Sequence, residues 1–377
     1  MNDARSLLIL LRSGASATAL RALLDQLGSA DAVLAAGPDG WRPAALGAEA
    51  IAAIRAPDEL RLEADLEWLD QPEHHLLGWH SGDYPELLRS SAHPPAALFV
   101  VGDPNLLWHP QVAVVGSRRP TSGGRDNARA FARAFGRAGL AVTSGLAEGI
   151  DTAAHLGAME SSRTIAVLGT GPDVCYPPGN APLMATVAAT GALVTEHPPG
   201  TPGLRQHFHS RNRLIAGLAL ATVVIEAAVR SGALITARMA VDAGRDVFAL
   251  PGSIHNPMAR GCHRLIRQGA GLAETPGEVI DALAPLAASL AGALRGRLAG
   301  AARGVDAGLA WLDAQGSVGV GSAGEQLLWR ALGHDPVTVD QLCERTGLTL
   351  GPLSAMLLAM ELEGKISAEH GRYSRRP

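Results

Sequence analysis

The turn Gly116-Ser117-Arg118 joins an apolar run to a helical stretch, and its residue types suit phosphate binding. Backbone N–H groups at a helix N-terminus lie at the positive end of the helix dipole and bind anions. The guanidinium group of Arg118 adds a charged fork whose geometry matches a phosphate. The turn lacks both the Gly-Lys-Ser/Thr of a Walker loop and a GxGxxG pattern, so we expect no nucleotide cofactor.

Two further turns of small residues follow neighbouring apolar runs. Ser144-Gly145 ends the second run, and Gly169 begins the Gly-Thr-Gly turn after the third. Each glycine alone is explained by the need for a tight turn. Three such turns at the ends of adjacent strands predict one groove that they line together.

The segment from Phe208 to Arg213 carries the most informative residue types of the chain. Arg211 and Arg213 flank Asn212 at a predicted helix start, where they can hold two neighbouring phosphates. Phe208 either packs in the core or stacks on a nucleobase, which contributes about 1–3 kcal/mol. The predicted DNA-binding residues are Gly116, Ser117, Arg118, Ser144, Gly145, Gly169, Phe208, Arg211, Asn212, Arg213, Arg230, Ser231, Gly232 and Asn256.

Metal-dependent and covalent catalysis find little support in the sequence. His207 and His209 have no carboxylate or cysteine at ligand spacing, and the three cysteines form no CxxC pair. We therefore expect no metal site. Asp151 and His155 are four residues apart on a predicted helix, a spacing that suits an orienter and a base but more often a surface contact. The sequence predicts a binding protein rather than an enzyme.

Apolar, β-branched runs alternate with helical stretches from residue 111 onward. Continuous apolar runs are typical of strands buried on both faces of a parallel sheet. The fold class predicted is α/β, a Rossmann-like doubly wound parallel sheet with ligands at the carboxyl ends of its strands. The runs are VAVVG, AVTSG, TIAVLGTG, ALVTE, ATVVIEA and DVFALPG.

The rest of the chain divides into three further parts. Residues 1–75 show the periodicity of a small helical domain, and residues 76–285 form the extended α/β domain with a lead-in strand near Ala97–Val101. Residues 286–321 are rich in alanine and glycine and predict a linker that is partly helical and then flexible. Residues 322–377 have a winged-helix outline of three helices followed by an extended tail.

Charge is distributed unevenly along a chain whose net charge is −4. Residues 1–110 carry 7 basic and 15 acidic side chains, whereas residues 111–275 carry 16 arginines and 10 acidic side chains. The middle of the chain therefore has a net charge of +6 by this count, which favours an anionic partner. No apolar run approaches the ~20 residues that span a bilayer, so we expect no membrane insertion. The scattered cysteines suit a reducing cytoplasm.

Several of these motifs together resemble the DNA-processing protein A family, DprA, also called Smf. The resemblance covers residues 82–275 and is carried by VVGSR, SGLAEGIDTAAH, TIAVLGTGPDVCYP, RNRLIAGLALATVVIEAAVRSGALITARMA and FALPGSIHNPMARGCHRLIRQGA. The C-terminal winged helix resembles the family's optional terminal domain, and the N-terminal helices resemble its SAM-like domain more loosely. Gly123 stands where the family often has a tyrosine, so no ring is available there for stacking.

The resemblance implies a cytoplasmic homodimer that binds single-stranded DNA during natural transformation, protects it and loads the RecA recombinase onto it for DNA recombination. It also implies that Ser117-Arg118, Arg211-Asn212-Arg213 and Arg230-Ser231-Gly232 are the phosphate-binding elements. We expect Leu265 and Ile266 at the dimer contact. Sequence-tolerant binding of this kind depends on phosphate contacts and is sensitive to salt.

Two other functions fit parts of the sequence. A nucleotide phosphoribohydrolase-like enzyme of related fold would use Glu226 as its carboxylate, but the PGGxGTxxE pattern of that group is broken at Pro199–Leu204. Glu226 is more simply explained as a partnered acid at a strand end. A duplex-binding regulator would read bases with its third C-terminal helix, which presents Ser354, Glu361 and Glu363 and is badly equipped to do so. We favour a protein-contact or dimer-supporting role for that domain.

Overall fold

The structure is a computed structural model, and two compact units make up the chain, residues 1–309 and 310–377. It describes residues 2–301 and, in the second unit, residues 328, 337–338, 342, 346, 357, 360, 365–369 and 372–375. Among the helices described, none is both long enough and apolar enough to cross a bilayer.

The helices are α1 Asn2–Arg12, α2 Ala17–Leu27, α3 Ala30–Trp41, α4 Ala48–Arg55, α5 Glu59–Leu69, α6 Glu86–Arg89, α7 Ser122–Arg137, α8 Ile150–Met159, α9 Ala181–Thr190, α10 Arg205–Leu218, α11 Ala233–Asp242, α12 Arg260–Arg267 and α13 Pro276–Ala301. The strands are β1 His74–Gly78, β2 Ala97–Gly102, β3 Gln111–Val115, β4 Ala141–Ser144, β5 Thr164–Val167, β6 Ala192–Thr195, β7 Ala221–Val224, β8 Asp246–Ala249, β9 Gly271–Leu272, β10 Val337–Thr338, β11 Ile366–Glu369 and β12 Arg372–Arg375. Short 3-10 turns occur at Arg42–Ala44, Pro104–Trp108 and Pro178–Asn180.

One nine-stranded sheet, in the order β1-β2-β6-β5-β4-β3-β7-β8-β9, organises the first unit. The strands from β6 to β9 in this order pair in parallel. The six apolar runs predicted as strands are β3 to β8, so the prediction of a doubly wound parallel sheet is confirmed. The lead-in strand is β2, which pairs antiparallel with β6, and β1 adds an antiparallel edge that the sequence analysis does not predict.

Alternate residues of the central strand β3 are buried against opposite layers of helices. Val112 and Val114 belong to the core that includes residues of α7, α8 and α13. Ala113 and Val115 belong to the core that includes residues of α10 and α11. Successive side chains of a strand point to opposite faces, so a strand covered on both sides must be apolar at every position.

The N-terminal helices form a bundle with a core of its own. Leu8, Leu10, Leu23, Trp41 and Leu62 are buried together in this core. The bundle shares Phe99 of β2 with the sheet domain, so the helices pack directly against the antiparallel edge strands. Ser16, Ser29 and Asp58 cap α2, α3 and α5 by accepting hydrogen bonds from backbone N–H groups one turn later.

The second unit contains a small antiparallel sheet in the order β10-β12-β11. Leu328, Leu342, Leu357 and Met360 are helical and buried, as expected for the inner faces of three helices in a winged-helix domain. Helix α13 covers the first part of the predicted linker. The flexible part predicted at residues 302–321 lies outside the described residues, as do Ser354, Glu361 and Glu363.

Candidate nucleic-acid interface

A pocket of about 720 Å³ opens at the carboxyl ends of β3 and β7. The strand order reverses there, since β4, β5 and β6 follow on one side of β3 and β7, β8 and β9 on the other. The two turns that leave such a pair of strands diverge to opposite faces of the sheet and open a crevice between them, which is where ligands bind in doubly wound folds. Of the predicted site residues, the pocket is lined by Gly116, Ser117, Arg118, Phe208, Arg211, Asn212, Arg230, Ser231 and Gly232.

Four exposed arginines surround this pocket. Arg118 and Arg119 follow β3, Arg205 begins α10, and Arg230 follows β7. Each guanidinium group is exposed, and none of the four forms an ion pair with any residue that the structure describes. Unpaired guanidinium groups around a concave surface focus positive potential and favour an anionic ligand.

Two aromatic rings form one wall of the pocket. The ring of Phe208 lies 4.8 Å from that of Tyr176, centroid to centroid, with the planes tilted by 36°. Phe208 is half-buried and Tyr176 is 46% exposed, so both rings reach the pocket. Gly169 lies directly behind Phe208, because a Cβ atom there would be 2.7 Å from Cδ1 of the ring. Phe208 therefore lines the pocket instead of lying in the core.

Arg211 is buried in the floor of the pocket and bonds to the protein. It is 5% exposed, and its Nη1 donates hydrogen bonds to the carbonyl oxygens of Gly145 and Val167. Burial lowers the pKa of Arg211 to about 10, while the charge of Asp151 opposes that change. The predicted pair of phosphate-holding arginines is thus corrected, because helix α10 begins at Arg205 and turns Arg211 inward.

Arg213 also faces away from the pocket. Its guanidinium group forms an ion pair with Glu196, which follows β6. A residue two positions beyond Arg211 on a helix points to a different face, so one helix cannot direct both arginines into the same groove. Asn212 is the member of the Arg-Asn-Arg motif that lines the pocket without being buried.

The N-terminus of α7 already holds a carboxylate, which corrects the prediction that its N–H groups face a phosphate. Glu226 accepts hydrogen bonds from the backbone N–H of Thr121 at 2.9 Å and from its hydroxyl at 2.7 Å. Asn256 donates a further hydrogen bond to Glu226, so this predicted site residue supports the carboxylate and does not line the pocket. Glu226 is a partnered acid at a strand end, as one interpretation of the sequence holds.

A second carboxylate occupies the turn after β4. Asp151 accepts from the N–H groups of Gly145 and Ala147 at 3.2 and 3.4 Å. Burial raises its pKa, and the charge of Arg211 opposes that rise. Gly145 lines only a small adjoining cavity, and Ser144 is buried and donates to the carbonyl oxygen of Val114, so both support the floor of the pocket.

His155 is buried and neutral, which contradicts the expectation of a surface contact with Asp151. The hydroxyl of Thr164 donates to Val142, so it accepts from Nδ1 of His155 at 2.8 Å. Nε2 then accepts from the N–H of Leu146. Burial and, to a smaller extent, the charge of Arg211 lower the pKa of His155 to about 3. The two residues hold the turn after β4 separately and do not form an orienter–base pair.

Comparison with known proteins connects this geometry to a family. The family model of DNA recombination-mediator protein A matches residues 75–284, and the DprA winged helix domain matches residues 317–372. The chain belongs to the DprA family. Protein Smf of Escherichia coli K12 is 38% identical over 323 residues, which cover 83% of this chain and 80% of that protein. DNA processing protein DprA of Streptococcus pneumoniae R6 is 43% identical over 198 residues, covering 52% and 70%.

Solved structures of DprA proteins share this fold. DprA from Streptococcus pneumoniae superposes with a TM-score of 0.66 at 34% identity, over 73% of this chain and 96% of that one. DNA processing protein A from Helicobacter pylori, whose structure was reported for its single-stranded DNA binding mode, gives a TM-score of 0.52 at 27% identity, over 56% of this chain and 96% of that one. The resemblance stated from the motifs is confirmed.

The pocket also contains residues to which the sequence analysis assigns no part in DNA binding. These are Arg119, Tyr176, Arg205 and His209. Arg119 and Arg205 are next to predicted residues or elements, and their charge is the signal that identifies them. Tyr176 reaches Phe208 from a loop 32 residues away in the sequence, so its contribution follows only from the tertiary structure.

The remaining sequence expectations concern metals and the dimer. Among the described residues, no group of three or more His, Cys, Asp and Glu side chains is arranged to hold a metal ion. Leu265 and Ile266 are half-buried on α12 and pack partly against the core of the sheet. Their role in a dimer stays a prediction.

Proposed function

We propose that this chain binds single-stranded DNA in the pocket between β3 and β7, protects the strand and loads RecA onto it during natural transformation. The observation that carries the binding proposal is the arrangement of four exposed, unpaired arginines around the Phe208–Tyr176 ring pair. Guanidinium groups that track a backbone and rings on which bases stack are the two components of sequence-tolerant single-strand binding. The reported single-stranded DNA binding of the Helicobacter pylori protein supports the same function here.

The geometry favours the phosphate backbone as the feature recognised. Arg118, Arg119, Arg205 and Arg230 are all exposed, and each can release one condensed counterion by pairing with a phosphate. Four such contacts on a single strand give a slope of about −3 for the logarithm of the affinity against the logarithm of the salt concentration. The carboxylates of Asp151 and Glu226 already accept from the backbone N–H groups of Gly145, Ala147 and Thr121, so we assign the phosphate contacts to the arginine side chains.

Fluorescence anisotropy with labelled single-stranded and duplex oligonucleotides across a salt series tests this function. We expect tight binding of the single strand and a weaker, salt-sensitive interaction with the duplex. In Arg118→Ala, the salt slope for the single strand should fall by about 0.7, the value of one phosphate contact. Arg125→Ala is the matched control, because Arg125 is exposed on α7, changes the net charge equally and does not line the pocket.

Binding that is absent from the wild type, or equal for both forms of DNA and unchanged in Arg118→Ala, contradicts the proposal. In that case an assay for hydrolysis of nucleoside monophosphates tests the enzyme of related fold. An equal loss in Arg118→Ala and Arg125→Ala would indicate a diffuse charge effect, and the pocket would then have no specific role.

The partners belong to the same proposal. The family relationship supports a cytoplasmic homodimer that delivers the bound strand to RecA. Leu265→Arg should yield a monomer in sedimentation if α12 lies at the dimer contact, and a variant that remains dimeric refutes that contact. Loading is measured as the rate of RecA assembly on a single strand that is already covered by a single-strand-binding protein. No acceleration by the wild-type chain would contradict the loading role.

A further inference from the structure

A bridge from the N-terminal helical bundle reaches the loop that leads into the pocket wall. Arg12, the last residue of α1, donates a hydrogen bond of 2.9 Å from Nη2 to the carbonyl oxygen of Pro199. Its Nε and Nη2 also bond to the two carboxylate oxygens of Asp65 on α5, at 2.8 and 2.6 Å. One guanidinium group therefore joins two helices of the bundle to a loop of the sheet domain.

Asp65 fixes the orientation of the Arg12 guanidinium group within the bundle. Asp65 is 1% exposed, and its two oxygens hold the guanidinium plane in a bidentate arrangement. A bidentate pair of this kind fixes the direction of the remaining N–H bonds. The N–H that points at Pro199 is thus aimed by Asp65 and does not depend on a freely rotating side chain.

The loop from Pro198 to Leu204 is held from its other side as well. Both carboxylate oxygens of Asp173 accept from the N–H of Gly200, at 2.8 and 3.0 Å. Thr201 accepts a backbone hydrogen bond from Gly171, the turn after β5. Arg12 and Asp173 therefore hold consecutive residues of one loop from two different parts of the fold.

This loop continues directly into the residues that form the pocket wall. The N–H groups of His207 and Phe208 bond to the carbonyl oxygen of Leu204, so the loop sets where α10 begins. A Cβ atom at Gly203 would lie 3.1 Å from the Phe208 ring. A shift of the loop would move Arg205 and Phe208 together, and both line the pocket.

We propose that Arg12 is a positioning residue for single-strand binding, through which the N-terminal bundle holds the Pro198–Leu204 loop and the Arg205–Phe208 wall in place. The inference rests on the proposed function, because the effect is measured on the affinity for DNA. Arg12 itself bonds to protein groups and forms no part of the pocket.

The test uses a double variant, because Arg12 alone cannot be removed cleanly. Loss of one member of a buried ion pair leaves the other charge uncompensated, whereas replacing both by apolar residues is often neutral. Arg12→Met with Asp65→Leu should keep the bundle folded while it removes the bond to Pro199 together with the Arg12–Asp65 pair. The matched control is Arg5→Met with Glu59→Leu, an exposed ion pair between the same two helices that does not contact the loop.

Two measurements on the full-length chain separate this inference from the proposed function. Hydrogen–deuterium exchange without DNA should show faster exchange in residues 198–208 of the Arg12/Asp65 variant and no change in the control. The single-strand affinity should fall about fivefold, the effect of losing one hydrogen bond, with an unchanged salt slope. A role in bundle stability alone would leave the exchange of residues 198–208 unchanged.

Each other result overturns the inference in an identifiable way. Unchanged exchange in residues 198–208 shows that Arg12 does not hold the loop. Faster exchange with unchanged affinity shows that the loop does not position the wall. A salt slope lower by about 0.7 shows that Arg12 contacts a phosphate directly. If the wild type binds no single strand, the proposed function fails together with the positioning role, although the exchange data still report whether the bridge holds the loop.

Discussion

Replacing Arg211 with methionine is expected to destabilise the first unit without removing a phosphate contact. Arg211 is 5% exposed and donates to Gly145 and to Val167, the latter at 2.6 Å. Its charge also attracts Asp151, which is buried beside it. Methionine fills a similar length but provides no donor and no charge, so both carbonyl oxygens lose this donor and Asp151 loses its compensating cation.

The magnitude follows from the hydrogen bonds that are lost. A buried acceptor left without its donor costs about 1–3 kcal/mol, so loss of the two bonds to Gly145 and Val167 should cost about 2–6 kcal/mol. Arg211→Met with Asp151→Asn removes the uncompensated charge, so the double variant should recover part of the loss. The coupling between the two positions should then be about 1–3 kcal/mol, as is typical of residues in one network.

The stability of this region is measured by urea denaturation of the full-length chain, with hydrogen–deuterium exchange of residues 141–168 as the signal. Anisotropy under folding conditions measures the single-strand affinity, and its salt slope should equal that of the wild type. Arg118→Ala is the reverse case, with unchanged stability and a slope smaller by about 0.7. If Arg211→Met keeps its stability within about 0.5 kcal/mol and loses 0.7 in slope, Arg211 is a phosphate ligand and our account of the pocket floor is wrong.

Three further outcomes follow from particular contacts. Gly169→Ala places a Cβ atom 2.7 Å from the Phe208 ring and should displace the ring. Because stacking on a ring contributes about 1–3 kcal/mol per base, the single-strand affinity should fall at least about fivefold. The salt slope should be unchanged. Gly179→Ala, where a Cβ atom meets nothing within 4 Å, is its control, and equal affinities would contradict the stacking role. The folded pKa of His155, about 3, lies below its ordinary value of 6.5. The contribution of His155 to stability should therefore fall by about 1.4 kcal/mol for each pH unit from 6.5 towards 3. Urea midpoints at pH 7, 6 and 5 should differ less in His155→Gln than in the wild type, and His109 and His197, whose pKa burial lowers to about 4, account for the dependence that remains. Glu226→Gln removes the charge at the N-terminus of α7 and should lower stability by about 1 kcal/mol in a urea titration without weakening single-strand binding; a marked loss of affinity would show that Glu226 contributes to the site directly.

The sequence predicted the sheet well because its signal is local. Each parallel strand is buried on both faces and must be apolar along its whole length, so β3 to β8 are visible as continuous runs. The family resemblance assigned Ser117-Arg118 and Ser231-Gly232 to one phosphate-binding site, and these residues line a single pocket in the structure. Strand β1 was missed, because an edge strand of five residues with two histidines carries no such run.

The tertiary structure decided which group each charged side chain bonds to. Glu226 reaches the N-terminus of α7 from 105 residues away, and Arg211 bonds to Gly145 from 66 residues away. The sequence predicts the same phosphate-binding role for Arg118 and Arg211, because one follows a turn of small residues and the other lies at a predicted helix start. Only the packing of α10 against the sheet makes one exposed and the other buried.

The amino-acid sequence by itself determined the fold class, the positions of the parallel strands along the chain and the family. Apolar runs and turn residues are patterns of a few neighbouring positions, so they can be recognised without the tertiary structure. Which turns remain open to a ligand was decided by the tertiary structure. A backbone N–H group binds either a phosphate or a protein carboxylate. Asp151 occupies the turn after β4 from the helix that follows it, whereas Glu226 reaches the N-terminus of α7 only when segments 105 residues apart pack together. The exposed arginines are what the folded chain leaves available for DNA.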